Sequence, residues 1–173
     1  MKKLWSIVLL GGMLLLAGCN GDKDTKEPKE PKEPKEKVEQ SAEQKEDMRV
    51  YRDVHNKYDE KMNKELNEAV KLWEEAKEKG GKALVYPKFK EDVQKITTSM
   101  LTDIDHMRKE IRVPKSKEQE HELYIGFLNE TEQAMKKLEK LAKDEDSALI
   151  RDIEVHFSTA STYYKRFQKE AQK

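Results

Sequence analysis

The sequence predicts an all-α protein, an antiparallel helical bundle that follows an amino-terminal segment of different composition. From residue 38 onward, apolar side chains recur at every third or fourth position, which is the period of an amphipathic helix. Glycine is scarce beyond residue 21 and β-branched residues are sparse, so a β-sheet is disfavoured. Charged residues make up 40% of the chain and apolar residues 35%, a balance typical of long helices with solvated outer faces.

The first 18 residues have the pattern of a secretory signal peptide. Lys2 and Lys3 provide a positive start, and residues 4–16 form an apolar run that only Ser6 and the Gly11-Gly12 pair interrupt. This run is shorter than the roughly 20 residues that a membrane-spanning helix needs. We therefore expect residues 1–18 to be removed on export.

The apolar run ends in the sequence Leu16-Ala17-Gly18-Cys19. An aliphatic residue, two small residues and a cysteine in this position resemble the lipobox of bacterial lipoproteins, of a Gram-positive-like type. The resemblance implies cleavage before Cys19 and attachment of a diacylglyceryl group, with palmitate-like chains, to its thiol. Two acyl chains would hold the protein stably on the extracytoplasmic face of the cell membrane.

Residues 19–37 are predicted to be an extended, disordered linker. After Cys19 they contain no large apolar residue, and a Lys-Glu-Pro triplet is repeated three times at residues 26–34. A proline at every third position prevents an α-helix and favours polyproline II structure. Eighteen such residues reach roughly 55 Å when fully extended. We interpret the segment as a spacer; contact of its charges with wall polymer or lipid headgroups is the alternative.

Residues 38–173 are predicted to form the bundle domain. The first helix is expected at residues 42–79 and to stop at Gly80-Gly81. A short connection packed over the bundle end follows, and Pro87 is suited to start the second helix. The apolar stripe of the first helix comprises Met48, Tyr51, His55, Tyr58, Met62, Leu66, Ala69, Trp73 and Ala76.

The remaining helices are delimited by prolines and capping residues. Pro114 is expected to end the second helix, whose stripe comprises Phe89, Val93, Ile96, Met100, Ile104, Met107 and Ile111. Ser116 and Gln119 suggest a capping box that opens the third helix. Asp144, Asp146 and Ser147 are candidate caps for the fourth. Four helices joined by short loops predict an up-down-up-down bundle, and three helices with a projecting first helix are the alternative.

The composition and motifs exclude several classes of function. The chain has 35 basic and 35 acidic residues, and loss of Lys2 and Lys3 with the signal peptide leaves a net charge of −2, which argues against a nucleic-acid partner. A single cysteine excludes an internal disulfide and a cysteine-based zinc site. One Glu118-x-x-His121 pair occurs without the second pair that a di-iron site needs. We expect no catalytic residues, no metal and no cofactor.

The one candidate interaction surface lies on the fourth helix. Small hydroxyl residues surround two adjacent tyrosines there, and we single out Ser158, Thr162, Tyr163 and Tyr164. Small residues also allow close helix packing, and hydroxyls often bond to their own helix, which is the simpler interpretation. The alternative is a surface that contacts a glycan or a partner protein, with an exposed tyrosine as anchor.

Together these patterns predict a membrane-anchored lipoprotein that acts as a non-catalytic interaction or structural module of the cell envelope. Its expected partners are the membrane, through the anchor at Cys19, and an envelope protein or wall polymer. A small-ligand-binding lipoprotein is the alternative, and it would require an enclosed pocket among the helices.

Overall fold

A computed structural model describes residues 41–173, and these residues form a four-helix bundle. Helix α1 spans Ala42–Glu78, α2 Pro87–Glu110, α3 Glu118–Asp144 and α4 Leu149–Ala171. Short 3₁₀ helices at Lys82–Val85 and Lys115–Lys117 occupy two of the connections. The predicted signal peptide, Cys19 and the predicted linker lie outside the described residues.

Contacts between neighbouring helices establish the up-down-up-down arrangement. Along α1, contacts with α2 run in the opposite residue order, from Lys57–Glu110 to Glu65–Ser99. The same reversal joins α2 to α3 through Arg108–Glu132 and Lys90–Glu145. It joins α3 to α4 through Glu130–His156 and Lys137–Asp152, and α4 to α1 through Asn63–Tyr164 and Trp73–Ile150. The projecting-helix alternative is therefore excluded for the described residues.

The predicted stripes form one continuous core. Residues of all four helices bury their side chains in it, and the fully buried large ones include Met62, Met100, Met107, Tyr124, Met135, Leu138 and Ile153. Four of these side chains are methionines, whose unbranched thioethers adapt to irregular gaps between helices. The amphipathic period read from the sequence therefore identified the core correctly.

The turn after α1 forms as the glycines predict. Gly80 and Gly81 both have left-handed backbone conformations, with φ of 56° and 82°, which glycine adopts without steric penalty. The amide of Gly81 bonds to the carbonyl of Ala76 at 3.0 Å and closes the end of the helix. Ala83 and Leu84 are buried at the bundle end, and Pro87 is the first residue of α2.

Two boundary predictions were wrong in detail. Helix α2 ends at Glu110 rather than running to Pro114, because Ile111 is already extended. Ser116 does not cap α3, because it lies inside the 3₁₀ helix that the Lys117–Pro114 bond closes. The Ser-x-x-Gln capping box occurs instead at α1, where Ser41 and Gln44 exchange bonds of 3.2 and 2.9 Å.

The cap predicted for α4 is also different. Asp144 is the last residue of α3, and no side chain caps α4 at its Ala148 position. Asp146 accepts a bond from the amide of Ala148 at 3.0 Å, which shapes the turn before the helix. Glu145 adopts a left-handed backbone with φ of 56° and ends α3 without a glycine.

Candidate functional site

The predicted interaction residues of α4 occupy two environments. Ser158 and Thr162 are exposed, whereas both tyrosines are half-buried. The ring of Tyr163 packs against Gly126 of α3. The ring of Tyr164 lies 5.0 Å from that of Phe127, and its hydroxyl accepts a bond from Asn63 of α1 at 3.4 Å.

The two tyrosine rings leave α4 in different directions, since consecutive helix residues are rotated by about 100°. One ring therefore fills the groove toward α3, and the other reaches the groove toward α1. Neither ring is the exposed anchor that the interaction interpretation assumes, because both tyrosines are half-buried.

The threonine hydroxyls on α4 bond to their own helix, as the simpler interpretation predicts. Thr159 donates to the carbonyl of Val155 at 2.9 Å, and Thr162 donates to that of Ser158 at 3.1 Å. Each threonine oxygen can still accept a bond from outside. The hydroxyls of Ser158 and Ser161 lie on exposed residues of the same helix.

A second feature of α4 is that acids are absent from most of its length. No Asp or Glu occurs in residues 155–169, although 40% of the chain is charged. This part of α4 contributes seven exposed polar residues, of which Gln168 is one. The other six we call the α4 face: Ser158, Ser161, Thr162, Lys165, Arg166 and Lys169. Among residues 41–173, none of its three cations is in an ion pair, so their positive charge is directed to solvent.

Three acids near the α4 face are in contact with basic side chains. Glu154 contacts Lys77 at 2.8 Å, and Glu170 contacts Lys173 at 2.7 Å. On α3, Glu130 contacts His156 at 2.8 Å. These pairs reduce the negative charge available to neutralise Lys165, Arg166 and Lys169.

A buried polar network lies between α1 and α3 in the half of the bundle that contains residue 51. Tyr124 donates to Asp59 at 2.7 Å, and Asp59 also lies 3.3 Å from Nδ1 of His55. Tyr51 donates to Glu120 at 3.2 Å, and Lys117 bonds to the other oxygen of that carboxylate at 2.5 Å. The rings of His55 and Phe167 stack at 5.6 Å, so α4 closes the network on the third side.

The network favours a neutral His121 ring and protonated phenols. Burial is the main cause that raises the pKa of Tyr51 and of Tyr124, and the neighbouring carboxylates raise both further. Burial, followed by the charge of His55, lowers the pKa of His121. Nε2 of His55 and Nδ1 of His121 are buried without a hydrogen-bond partner in the structure. Protonated phenols act here as donors that tie α1 to α3.

The histidines do not assemble a metal centre in the described residues. Each helix carries one histidine, and the fold brings the rings of His55 and His121 near the Tyr51 ring, at centroid distances of 4.6 and 6.1 Å. No group of three or more His, Cys, Asp or Glu side chains within residues 41–173 has the arrangement of a metal site. Glu118 of the Glu118-x-x-His121 pair is exposed.

Two buried acids, Glu65 of α1 and Asp103 of α2, form a separate polar cluster between these helices. Glu65 accepts a bond from Ser99 at 2.5 Å, and Lys61 lies 2.7 Å from Asp103 in an ion-pair contact. Burial raises the pKa of Glu65, although the Ser99 bond and Lys61 oppose that shift and the charge of Asp103 adds to it. Lys61 therefore lies close to two buried carboxyl groups, those of Glu65 and Asp103.

The described residues form open grooves between their helices. Two open grooves, of about 230 and 270 Å³, lie between α2 and α3 and between α1 and α2. Their charged linings include Lys90, Glu139, Glu68 and Lys71. Ligand pockets are usually larger, enclosed and mostly apolar.

None of the four helices has an apolar stretch of the length and purity that crossing a bilayer requires. No protein-family model matches the chain, and comparisons with curated proteins and with solved structures found no match. Inference about function therefore starts from the chemistry of the residues themselves.

Proposed function

We propose that this chain is a lipid-anchored protein of a bacterial cell surface that binds a component of the cell envelope and catalyses no reaction. The observation that carries the proposal is the lipobox, Leu16-Ala17-Gly18-Cys19, directly behind a short apolar run with two lysines at its start. Thioether acylation of Cys19 would place the mature chain on the extracytoplasmic face of the membrane.

The bundle supports a binding role through the α4 face. This surface combines hydroxyl groups with cations that have no ion-pair partner within residues 41–173, whereas cations elsewhere often pair across helices. The buried polar groups act in the core, where they link helices, and are too enclosed to meet a large substrate. The small-ligand alternative is less favoured, because the two grooves are open and charged.

Metabolic labelling with an alkyne-bearing palmitate analogue tests the anchor. The wild-type protein should take up label, remain with the membrane fraction and be digested by protease added to intact cells. The Cys19→Ala variant should take up none. Equal labelling of the two proteins would refute acylation at Cys19. Protease resistance in intact cells whose envelope admits the protease would refute surface exposure.

Site-specific photocrosslinking in intact cells tests the binding face. A photoreactive residue replaces Ser161 in one variant and Lys140 of α3 in a matched control, since both positions are exposed. We expect a crosslinked envelope component from position 161 only. The same products from both positions, or none from position 161, would contradict binding through α4.

A further inference from the structure

The charge pattern of the α4 face selects a negatively charged partner. Lys165, Arg166 and Lys169 are exposed within one and a quarter turns of α4, and acids are absent from residues 155–169. Three like charges on one short surface raise the local concentration of counter-ions and attract an anionic group. Ser158, Ser161 and Thr162 extend the same face with groups that accept or donate hydrogen bonds.

The other lysine-rich segment of the bundle lacks this free charge. Residues 79–90 also contain no acid, but three of the four lysines there contact acids of the neighbouring sequence or helix. Lys79 pairs with Glu75, Lys88 with Asp92 and Lys90 with Glu145, each at 2.6 Å. The number of lysines alone does not distinguish residues 79–90 from the α4 face. The ion pairs do, because they involve most of the lysines in residues 79–90.

The shape of the face favours a linear ligand. From Ser158 to Lys169 the polar groups follow the helix axis for about 16 Å, at about 1.5 Å per residue. A helix that lies on a bilayer presents large apolar side chains for insertion. The strongly exposed large apolar residues of the described chain are Val85, Tyr86 and Val155. The first two lie in the turn before α2, and Val155 is a single valine beside the amino-terminal end of the α4 face.

From these observations we propose that the α4 face binds a linear polyanion of the cell envelope, a polymer with repeated phosphate or carboxylate groups. The inference rests on the proposed surface location, which supplies access to such a polymer. Lys165, Arg166 and Lys169 contact successive anionic groups, and the serine and threonine hydroxyls bond to the polymer backbone. Binding is electrostatic and therefore weakens as salt is added.

The test uses the mature lipidated protein in phosphatidylcholine nanodiscs and three immobilised polymers. Long-chain inorganic polyphosphate and polygalacturonate present phosphate and carboxylate groups, and dextran is neutral. The K165A/R166A/K169A variant removes the three charges, and the K64A/K140A/K143A variant removes three exposed lysines elsewhere as a matched control. We expect binding to at least one polyanion, none to dextran, a loss of about tenfold or more in the first variant and less than about twofold in the control.

Equal losses in both variants, or no loss in the first, would overturn the inference, as would binding to dextran. The two polyanion arms identify the anionic group. A fluorophore attached to a Ser161→Cys variant tests whether the partner is the membrane. An emission wavelength that is the same in nanodiscs with and without phosphatidylglycerol supports a polymer as the partner. A blue shift in the presence of phosphatidylglycerol overturns the inference. If the proposed lipid anchor is wrong, palmitate labelling will be absent while polymer binding is retained. The two proposals can therefore be distinguished.

Discussion

Gly126 of α3 and Tyr163 of α4 are in direct contact, with the tyrosine ring filling the space that a side chain at position 126 would occupy. A Cβ atom built on Gly126 would lie 2.4 Å from Cδ1 and from Cε1 of Tyr163 and 2.9 Å from Cγ. Because Cγ is close to the main chain, the ring cannot avoid the clash by a small rotation. The contact explains a glycine in the middle of a long helix, where it is normally unfavourable.

Gly126→Ala should therefore destabilise the bundle by about 1–3 kcal/mol, as overpacking does, although alanine is the better helix former. In a Tyr163→Ala background the same change should stabilise the protein by about 1 kcal/mol, because the ring is absent. Urea denaturation of the four proteins measures this double-mutant cycle. A stabilising effect of Gly126→Ala with Tyr163 present would contradict the contact.

Glu65→Gln should increase stability at pH 7. The folded protein raises the pKa of Glu65 above its ordinary value of 4.5, so ionisation of Glu65 opposes folding once the pH exceeds 4.5. Glutamine keeps an oxygen for the Ser99 bond without the buried charge. We expect a gain of about 1 kcal/mol at pH 7 that declines toward pH 4, where wild-type Glu65 is protonated. Urea titrations across this range provide the measurement.

Glu68→Gln on the exposed side of α1 is the control for Glu65→Gln, and it should change stability by less than about 0.5 kcal/mol at either pH. A gain that persists unchanged at pH 4 would show that the effect does not come from ionisation of Glu65.

His121→Asn should weaken the loss of stability in mild acid. The folded protein lowers the pKa of His121 below 6.5, so the unfolded chain binds more protons as the pH falls through that value. Stability should therefore decrease from pH 7.5 toward pH 5, and the decrease should be smaller in the variant. Identical pH profiles of the free energy of unfolding would refute this role of His121.

Trp73→Phe should destabilise the contact between α1 and α4. The indole donates a bond to the carbonyl of Ile150 at 2.8 Å, its ring meets Phe157 edge-on, and Lys77 lies 4.6 Å from the ring centre. Phenylalanine lacks the donor and the second ring, so we expect a loss of about 2 kcal/mol in a urea titration. Tyr86→Phe at the exposed turn is the control, and an equal loss there would contradict the explanation.

The amphipathic period was sufficient to predict the helices, because burial of one stripe per helix is the dominant constraint in a bundle. Caps were harder to predict, because two Ser-x-x-Gln patterns compete. Ser41 and Gln44 form a capping box, whereas the same spacing at Ser116 lies in a 3₁₀ helix that the buried Pro114 positions. Nothing local in the sequence distinguishes the two.

The polar contacts between helices depend on how each helix is rotated about its own axis. The apolar stripe of a single helix therefore could not predict them. Tyr51 and His55 lie in the α1 stripe, and His121 lies beside Tyr124 in α3, but only the packed bundle shows that they meet. The absence of acids from residues 155–169 was visible in the sequence. Its significance depended on the ion pairs, which only the structure could show.

The even number of antiparallel helices has a practical consequence for labelling. Residue 41 and Lys173 emerge at the same end of the bundle, while the turn that carries Val85 and Tyr86 is at the other. A fluorescent protein fused after Lys173 would thus sit beside the α4 face and obstruct it. An affinity tag inserted between Gly80 and Gly81 would leave that face accessible, which makes the far turn the better place for a handle in pull-down experiments.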